Sequence, residues 1–225
     1  MKYALVTGST RGMGFSIAKK LSENGYFVYT NGRGDIPISI DNSQYIIADL
    51  STIDGLNTIV SNIQNKLDVV VLNVGMTCRK SMQEIDYSDW QKVMDTTVNI
   101  PFFITQKLGV NDNGSIVFIS SAMSLKPHAT SIPYGVSKAA VNMLAQSLVK
   151  EFAPRNIRVN VVCPGFIDTE WQKEKPDWLR EKIENKIALK RFGLPEEIAD
   201  MCLSIINNNY INGAIISVDG GYDME

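Results

Sequence analysis

The sequence predicts one α/β domain over residues 1–225, a doubly wound sheet of about seven parallel strands with helices on both faces. Three observations predict it. Short β-rich runs alternate with longer amphipathic stretches, which implies βαβ units with right-handed crossovers. Most of the short runs are apolar at nearly every position, as strands covered on both faces must be. The 225 residues contain no repeat, low-complexity tract or Pro/Ser-rich linker that would divide them.

In chain order, strands are expected at Tyr3–Thr7, Phe27–Thr30, Tyr45–Ala48, Val69–Asn73, Ser115–Ser120, Arg158–Cys163 and Ala214–Val218. Helical periodicity places helices at about 13–23, 52–64, 86–108, 132–151, 177–188 and 195–207. One interval breaks the alternation. Between the second and third strands lie only residues 31–43, whereas a parallel crossover normally takes roughly a dozen residues or more, usually as a helix. Gly32, Gly34 and Pro37 oppose a helix there, so an irregular loop is expected.

Composition removes several function classes. The chain is 44% hydrophobic and 20% charged, which is globular rather than disordered. A formal charge of -2 supplies no basic field for nucleic acid. No apolar run approaches the ~18 residues of a membrane span. Met1-Lys2-Tyr3 leads straight into a short apolar run, so a signal peptide is not expected. Cys78, Cys163 and Cys202 are far apart and form no CxxC, which suits buried thiols in a reducing cytoplasm and no metal. His128 is the single histidine, which excludes a His-pair metal site and argues against a Ser-His-Asp triad.

The first strand runs into Gly8-Ser9-Thr10-Arg11-Gly12-Met13-Gly14, and an amphipathic helix comes next. Gly8 suits the sharp turn, Gly12 the approach of backbone to a pyrophosphate and Gly14 close packing of helix on strand. The helix N-terminus offers free N–H groups to phosphates. The second strand ends at Asn31-Gly32-Arg33, with no acid at its tip to hold a ribose 2′-hydroxyl. Arg33 and Arg11 are cations suited to a 2′-phosphate, which favours NADP(H) with NAD(H) as second choice. Asp35 opposes this, and the two arginines can also be read as merely solvated.

Tyr134 and Lys138 stand four apart at the start of a predicted helix, one turn apart on one face. Free tyrosine, with a pKa of about 10, is a sluggish acid–base near neutrality, and an adjacent ammonium is expected to lower that value. Upstream, the fifth strand ends in Ser120 and Ser121, where a hydroxyl can hold a carbonyl oxygen or serve only as a turn residue.

These segments, in this order and spacing, resemble the short-chain dehydrogenase/reductase family along nearly the whole chain. Thr7-Gly8 through Gly14 resembles its cofactor turn. Leu72-Asn73-Val74-Gly75 resembles its Asn-Asn-Ala-Gly segment, with Leu and Val replacing the first Asn and the Ala. Ser121, thirteen residues before Tyr134, matches the catalytic serine better than Ser120 does. Asn99 resembles the asparagine of the proton relay. Pro164-Gly165-Phe166-Ile167-Asp168-Thr169 resembles the segment that holds the nicotinamide carboxamide, and Val218-Asp219-Gly220-Gly221 the closing strand.

The resemblance implies a Rossmann-type fold and carbonyl–alcohol interconversion by hydride transfer. The implied catalytic set is Asn99, Ser121, Tyr134 and Lys138. Ser121 and Tyr134 would bond the substrate oxygen, Lys138 would also bind the nicotinamide ribose, and Asn99 would position a water relay. The implied cofactor contacts are Gly8 through Gly14, Asn31, Arg33, Asp49 and Leu50 near the adenosine, Asn73 and Gly75, Tyr134 and Lys138, and Pro164, Gly165, Ile167 and Thr169. It also implies a homodimer or homotetramer, although the helix through Asn99 looks about two turns shorter than the family's.

In this family the stretch after Gly165 forms a substrate lid. Trp171, Trp178 and Phe192 bracket a charged segment here, which either closes over the substrate or simply packs onto the sheet. Met123, His128 and Phe166 are candidate pocket linings, and His128 also reads as a loop residue. Among the implied substrates, 3-oxoacyl thioesters lead, with sugars, steroids and other small ketones as alternatives. A non-catalytic dinucleotide-binding redox sensor is a further alternative, but it would not need the Ser121, Tyr134 and Lys138 set.

Overall fold

Strands that alternate their side chains between two covered faces need apolar residues at every position, and the packing shows where each one goes. A computed structural model describes residues 1–35, 39–126, 131–173, 175–222 and 224, without the side chain at 171. The strands are β1 (Lys2–Val6), β2 (Tyr26–Gly32), β3 (Ser43–Ile47), β4 (Leu67–Leu72), β5 (Val110–Ile119), β6 (Arg158–Pro164) and β7 (Ile215–Val218). They form one parallel sheet in the order β3-β2-β1-β4-β5-β6-β7.

On one face, Ala4 and Val6 of β1 join Val69 and Val71 of β4 against α1 (Gly12–Glu23) and α8 (Pro195–Asn207). On the other, Leu5, Val70 and Phe118 pack on α2 (Ile53–Asn62), α4 (Ile100–Lys107) and α5 (Ile132–Phe152). The order reverses between β1 and β4, so a crevice opens at their carboxyl ends, where open α/β sheets bind ligands.

Three differences from expectation have physical causes. The single helix expected over 86–108 is α3 (Tyr87–Met94), a π-helical turn (Asp95–Asn99) and α4. Pro101 has no N–H to give the Thr97 carbonyl, so an unbroken α-helix cannot pass through it. The Ile100 N–H bonds instead to the Asp95 carbonyl. β5 begins at Val110 rather than Ser115, with its register to β4 shifting between Leu67 and Val69 and Asn113 at φ 65°. The expected 177–188 helix is α7 (Asp177–Asn185), preceded by an unforeseen short α6 (Glu170–Lys173).

Between β2 and β3, the described residues of 33–42 contain no helix, as expected, and the Tyr45 hydroxyl donates to the Gly34 carbonyl at 2.7 Å. Residues 36–38 and His128 lie outside the described residues.

Candidate active site

The glycine turn is held open by its neighbours. Asn73 Nδ2 donates to the carbonyls of Thr7 and Gly8, each at 3.1 Å, and its own N–H donates to Thr7 Oγ1 at 2.9 Å, so the tips of β1 and β4 are tied together. A Cβ at Gly14 would lie 2.2 Å from the Gly8 carbonyl oxygen, a backbone approach that no side chain permits. At Gly12, with φ +55°, a Cβ would lie 3.1 Å from Thr169 Cγ2. Between them lies a cleft of about 310 Å3, lined by Arg11, Gly12, Met13, Gly14, Asn73, Thr169 and Glu170. The bare backbone and the N-terminus of α1 face this cleft, so these residues fit the pyrophosphate of a dinucleotide.

Several expected cofactor residues use their side chains to hold the turn. Ser9 is fully buried, and its Oγ donates to the Val6 carbonyl at 3.0 Å. Asn31 is also buried; its Oδ1 accepts from the Gly8 N–H, and its Nδ2 donates to the carbonyls of Ile46 and Ala48. These short polar side chains satisfy buried backbone groups, so what they leave to face the cleft is backbone. The Leu50 side chain belongs to the core, leaving only its backbone to offer. Likewise Ile167 is buried. Gly165 packs where a Cβ would meet Asp219 Cα at 2.7 Å, fixing Pro164-Gly165 against the end of β7. Thr10 packs against Gly32, where a Cβ would lie 2.2 Å from its Cγ2.

Past the ends of β2 and β3, Arg33 and Asp49 are exposed neighbours. Burial acts to raise the Asp49 carboxyl, but bonds from Ser51 and then the charges of Arg33 and Lys92 outweigh it, holding it below the ordinary value.

The catalytic candidates converge where β5 meets α5. Ser120 and Ser121 separate cleanly. The Ser120 hydroxyl donates to the Lys138 carbonyl at 3.0 Å and ties strand to helix. The Ser121 hydroxyl acts to lower the pKa of the Tyr134 phenol and accepts from the Met123 N–H at 3.2 Å. Lys138 is buried, its Nζ donates to the Ile119 carbonyl at 2.7 Å, and it lies 5.7 Å from the Tyr134 ring centre. Burial depresses its pKa to about 8.

Tyr134 moves the other way from expectation. Burial raises the phenol above its ordinary value, and the Ser121 hydrogen bond only partly offsets this. The phenol therefore stays protonated at neutral pH, the form that a proton donor requires.

Asn99 makes its side-chain hydrogen bond within the π-helical turn. Its Nδ2 donates to Asp95 Oδ1 at 2.7 Å, one turn back on its own helix. The same turn presents Thr97, which is 1% exposed. Its Oγ1 accepts from the Met76 N–H at 3.3 Å. The space left by the missing side chain of Gly75 borders both groups: a Cβ there would lie 2.9 Å from Lys138 Nζ and 4.0 Å from Thr97 Oγ1. Pro101 was the available signal, since it breaks the helix at Thr97.

The segment beyond Gly165 builds a small core of its own. Phe192 and Ile187 are buried against Phe166 and Tyr222, with ring centres 6.0 Å from Phe166 to Phe192 and 5.0 Å from Phe166 to Tyr222. Phe166 is thus packed in this cluster. Arg180 of α7 stacks over Phe192 at 4.5 Å and pairs with Asp168 at 3.2 Å. Trp178 is 65% exposed and does not pack onto the sheet.

A family model described as enoyl-(acyl-carrier-protein) reductase matches residues 8–223. The chain is 34% identical to the 3-oxoacyl-[acyl-carrier-protein] reductase FabG of Aquifex aeolicus, covering 98% of this chain and 96% of that protein. It is 32% identical to a tropinone reductase homolog of Arabidopsis thaliana, covering 99% and 92%. The solved structure of the angucycline C-6 ketoreductase LanV with bound NADP superposes with a TM-score of 0.93 at 25% identity, covering 100% of this chain and 96% of that one. With the glycine turn at the β1/β4 crevice and a Ser-Tyr-Lys cluster beside it, the chain belongs to the short-chain dehydrogenase/reductase family of NAD(P)-dependent oxidoreductases.

Proposed function

We propose that the protein is an NADP(H)-dependent reductase that converts a carbonyl to a secondary alcohol, with 3-oxoacyl thioesters as the leading substrate class. The observation that carries this reading is the convergence of Ser121, Tyr134 and Lys138 where β5 meets α5, with Lys138 Nζ buried 5.7 Å from the Tyr134 ring centre. The FabG relatives support the thioester, and the NADP-bound LanV structure supports the cofactor.

When bound, the reduced nicotinamide supplies the hydride. Ser121 Oγ donates to the substrate carbonyl oxygen and holds it against the Tyr134 hydroxyl. Tyr134 gives its proton to that oxygen as charge develops there, and the Lys138 ammonium stabilises the phenolate left behind. Thr97 and the exposed Gly75 beside the Lys138 ammonium give Lys138 and Tyr134 a route for a replacement proton from solvent, alongside the expected Asn99. The exposed Val136 and Met143 on α5 support a homodimer or homotetramer through that helix, and the three buried free cysteines suit the cytoplasm.

The test is loss of NADPH absorbance with purified protein against 3-oxoacyl thioesters, sugars, steroids and small ketones. Tyr134→Phe is expected to reduce turnover by about 100-fold or more while leaving NADPH affinity within about twofold. Normal turnover by that variant would falsify the assigned proton donor.

A further inference from the structure

The cleft beneath the glycine turn is bridged at its mouth by an ion pair. Arg11 Nη1 lies 3.2 Å from Glu170 Oε2. One partner belongs to the turn that precedes α1 and the other to the first residue of α6, and both line the cleft. The adjacent residues, Gly12 and Thr169, are themselves in near contact, which keeps the backbone of Glu170 beside the turn. The first turn of α1 carries no acid of its own, so this carboxylate is brought to the phosphate-facing N-terminus by a distant segment.

The two side chains are 71% and 69% exposed, so the pair contributes little to stability. Its importance is its position. A carboxylate at the rim of a phosphate cleft repels the ligand the cleft is shaped for and engages a guanidinium that lines the same cleft. A ligand with an additional phosphate bears more of both effects.

We propose that Glu170 sets the cofactor preference by acting through Arg11: it competes with the 2′-phosphate for the guanidinium and lowers the advantage of NADPH over NADH. The inference rests on the reading that this cleft holds a dinucleotide. Glu170 is a positioning residue here and touches no reacting atom.

The test is direct binding of NADPH and NADH, followed by quenching of tryptophan fluorescence and by calorimetry. Glu170→Gln is expected to tighten NADPH about 3- to 10-fold and NADH by less, so the ratio of the two dissociation constants moves toward NADPH. High salt should shrink that shift, since the groups are exposed. In an Arg11→Ala background, the same substitution should leave the ratio where it was. An unchanged ratio in the single variant, or an equal shift without Arg11, overturns the proposal while leaving the assigned function intact. Wild-type protein that binds neither dinucleotide overturns both.

Discussion

The two halves of the site are built from opposite materials. In the proposed catalytic half, Ser121, Lys138 and Thr97 are 8%, 3% and 1% exposed, and each is already hydrogen-bonded. In the proposed nucleotide half, Arg11 and Glu170 at the cleft and Arg33 and Asp49 beyond it are all exposed. Charges in the buried half feel a low dielectric, so each one matters and carries a cost in stability. Charges in the exposed half are screened by water, so they adjust affinity without deciding whether chemistry occurs. The buried half should therefore give large losses on substitution, and the exposed half small, salt-sensitive shifts.

Lys138 tests the buried half most severely. Burial takes its pKa from 10.5 to about 8, which corresponds to a penalty of about 3 kcal/mol when both folded and unfolded forms are protonated. Between about pH 8 and 10.5 the unfolded chain holds the extra proton, so this group makes stability rise with pH across that window. Below pH 8 the penalty is complete. Lys138→Met removes it and loses the bond to the Ile119 carbonyl, worth about 1 kcal/mol. The expected result is a Tm gain of a few degrees at pH 7 that narrows by pH 10, with turnover reduced about 100-fold or more. A lower Tm at pH 7 would show that the ammonium is not penalised by its surroundings. In the wild type, turnover should decline as pH passes about 8, where the ammonium is lost.

Thr97 sharpens the comparison at intermediate scale, because it is buried but uncharged. Thr97→Val keeps the shape and removes the hydroxyl. Turnover should fall about 10-fold with an increased solvent isotope effect, as expected where proton resupply becomes limiting. Stability should fall by about 1–3 kcal/mol, since the Met76 N–H loses its acceptor. Thr97→Ser should restore both. If Thr97→Val lowers stability but leaves turnover and the isotope effect unchanged, the hydroxyl is structural only.

The features readable in the sequence were local. Tyr134 and Lys138 share one helix, so a spacing of four placed them together. The glycine turn, the apolar strands and the loop after β2 are set by residues a few positions apart. The features that escaped it depended on helix phase or on distant partners. The π-helical turn at Asp95–Asn99 interrupts the single helix expected there, so the burial of Thr97 next to Gly75 was not foreseen. Asn31 has the residue type of a ligand, but two carbonyls at the end of β3 and the Gly8 N–H of the glycine turn claim its amide. The pairing of Arg11 with Glu170 joins positions 159 residues apart, and no periodicity records such a contact.

Arg33 probes the exposed half, with the smallest expected effect. It comes directly after β2, is exposed, and lies near Asp49, whose carboxyl it helps to keep ionised. A 2′-phosphate beside it would gain a cation already partly compensated, so a modest contribution is expected. Arg33→Ala should weaken NADPH about 3- to 10-fold at low salt and NADH by less than about twofold, with the difference shrinking as salt rises. Turnover at saturating cofactor should hardly move, in contrast to the buried substitutions. The measurement is the pair of dissociation constants at two ionic strengths. An unchanged preference would remove Arg33 from the phosphate site and leave Arg11 as the cation that reads it. A loss of turnover at saturation would instead mean that the exposed half reaches further into the chemistry than its exposure implies.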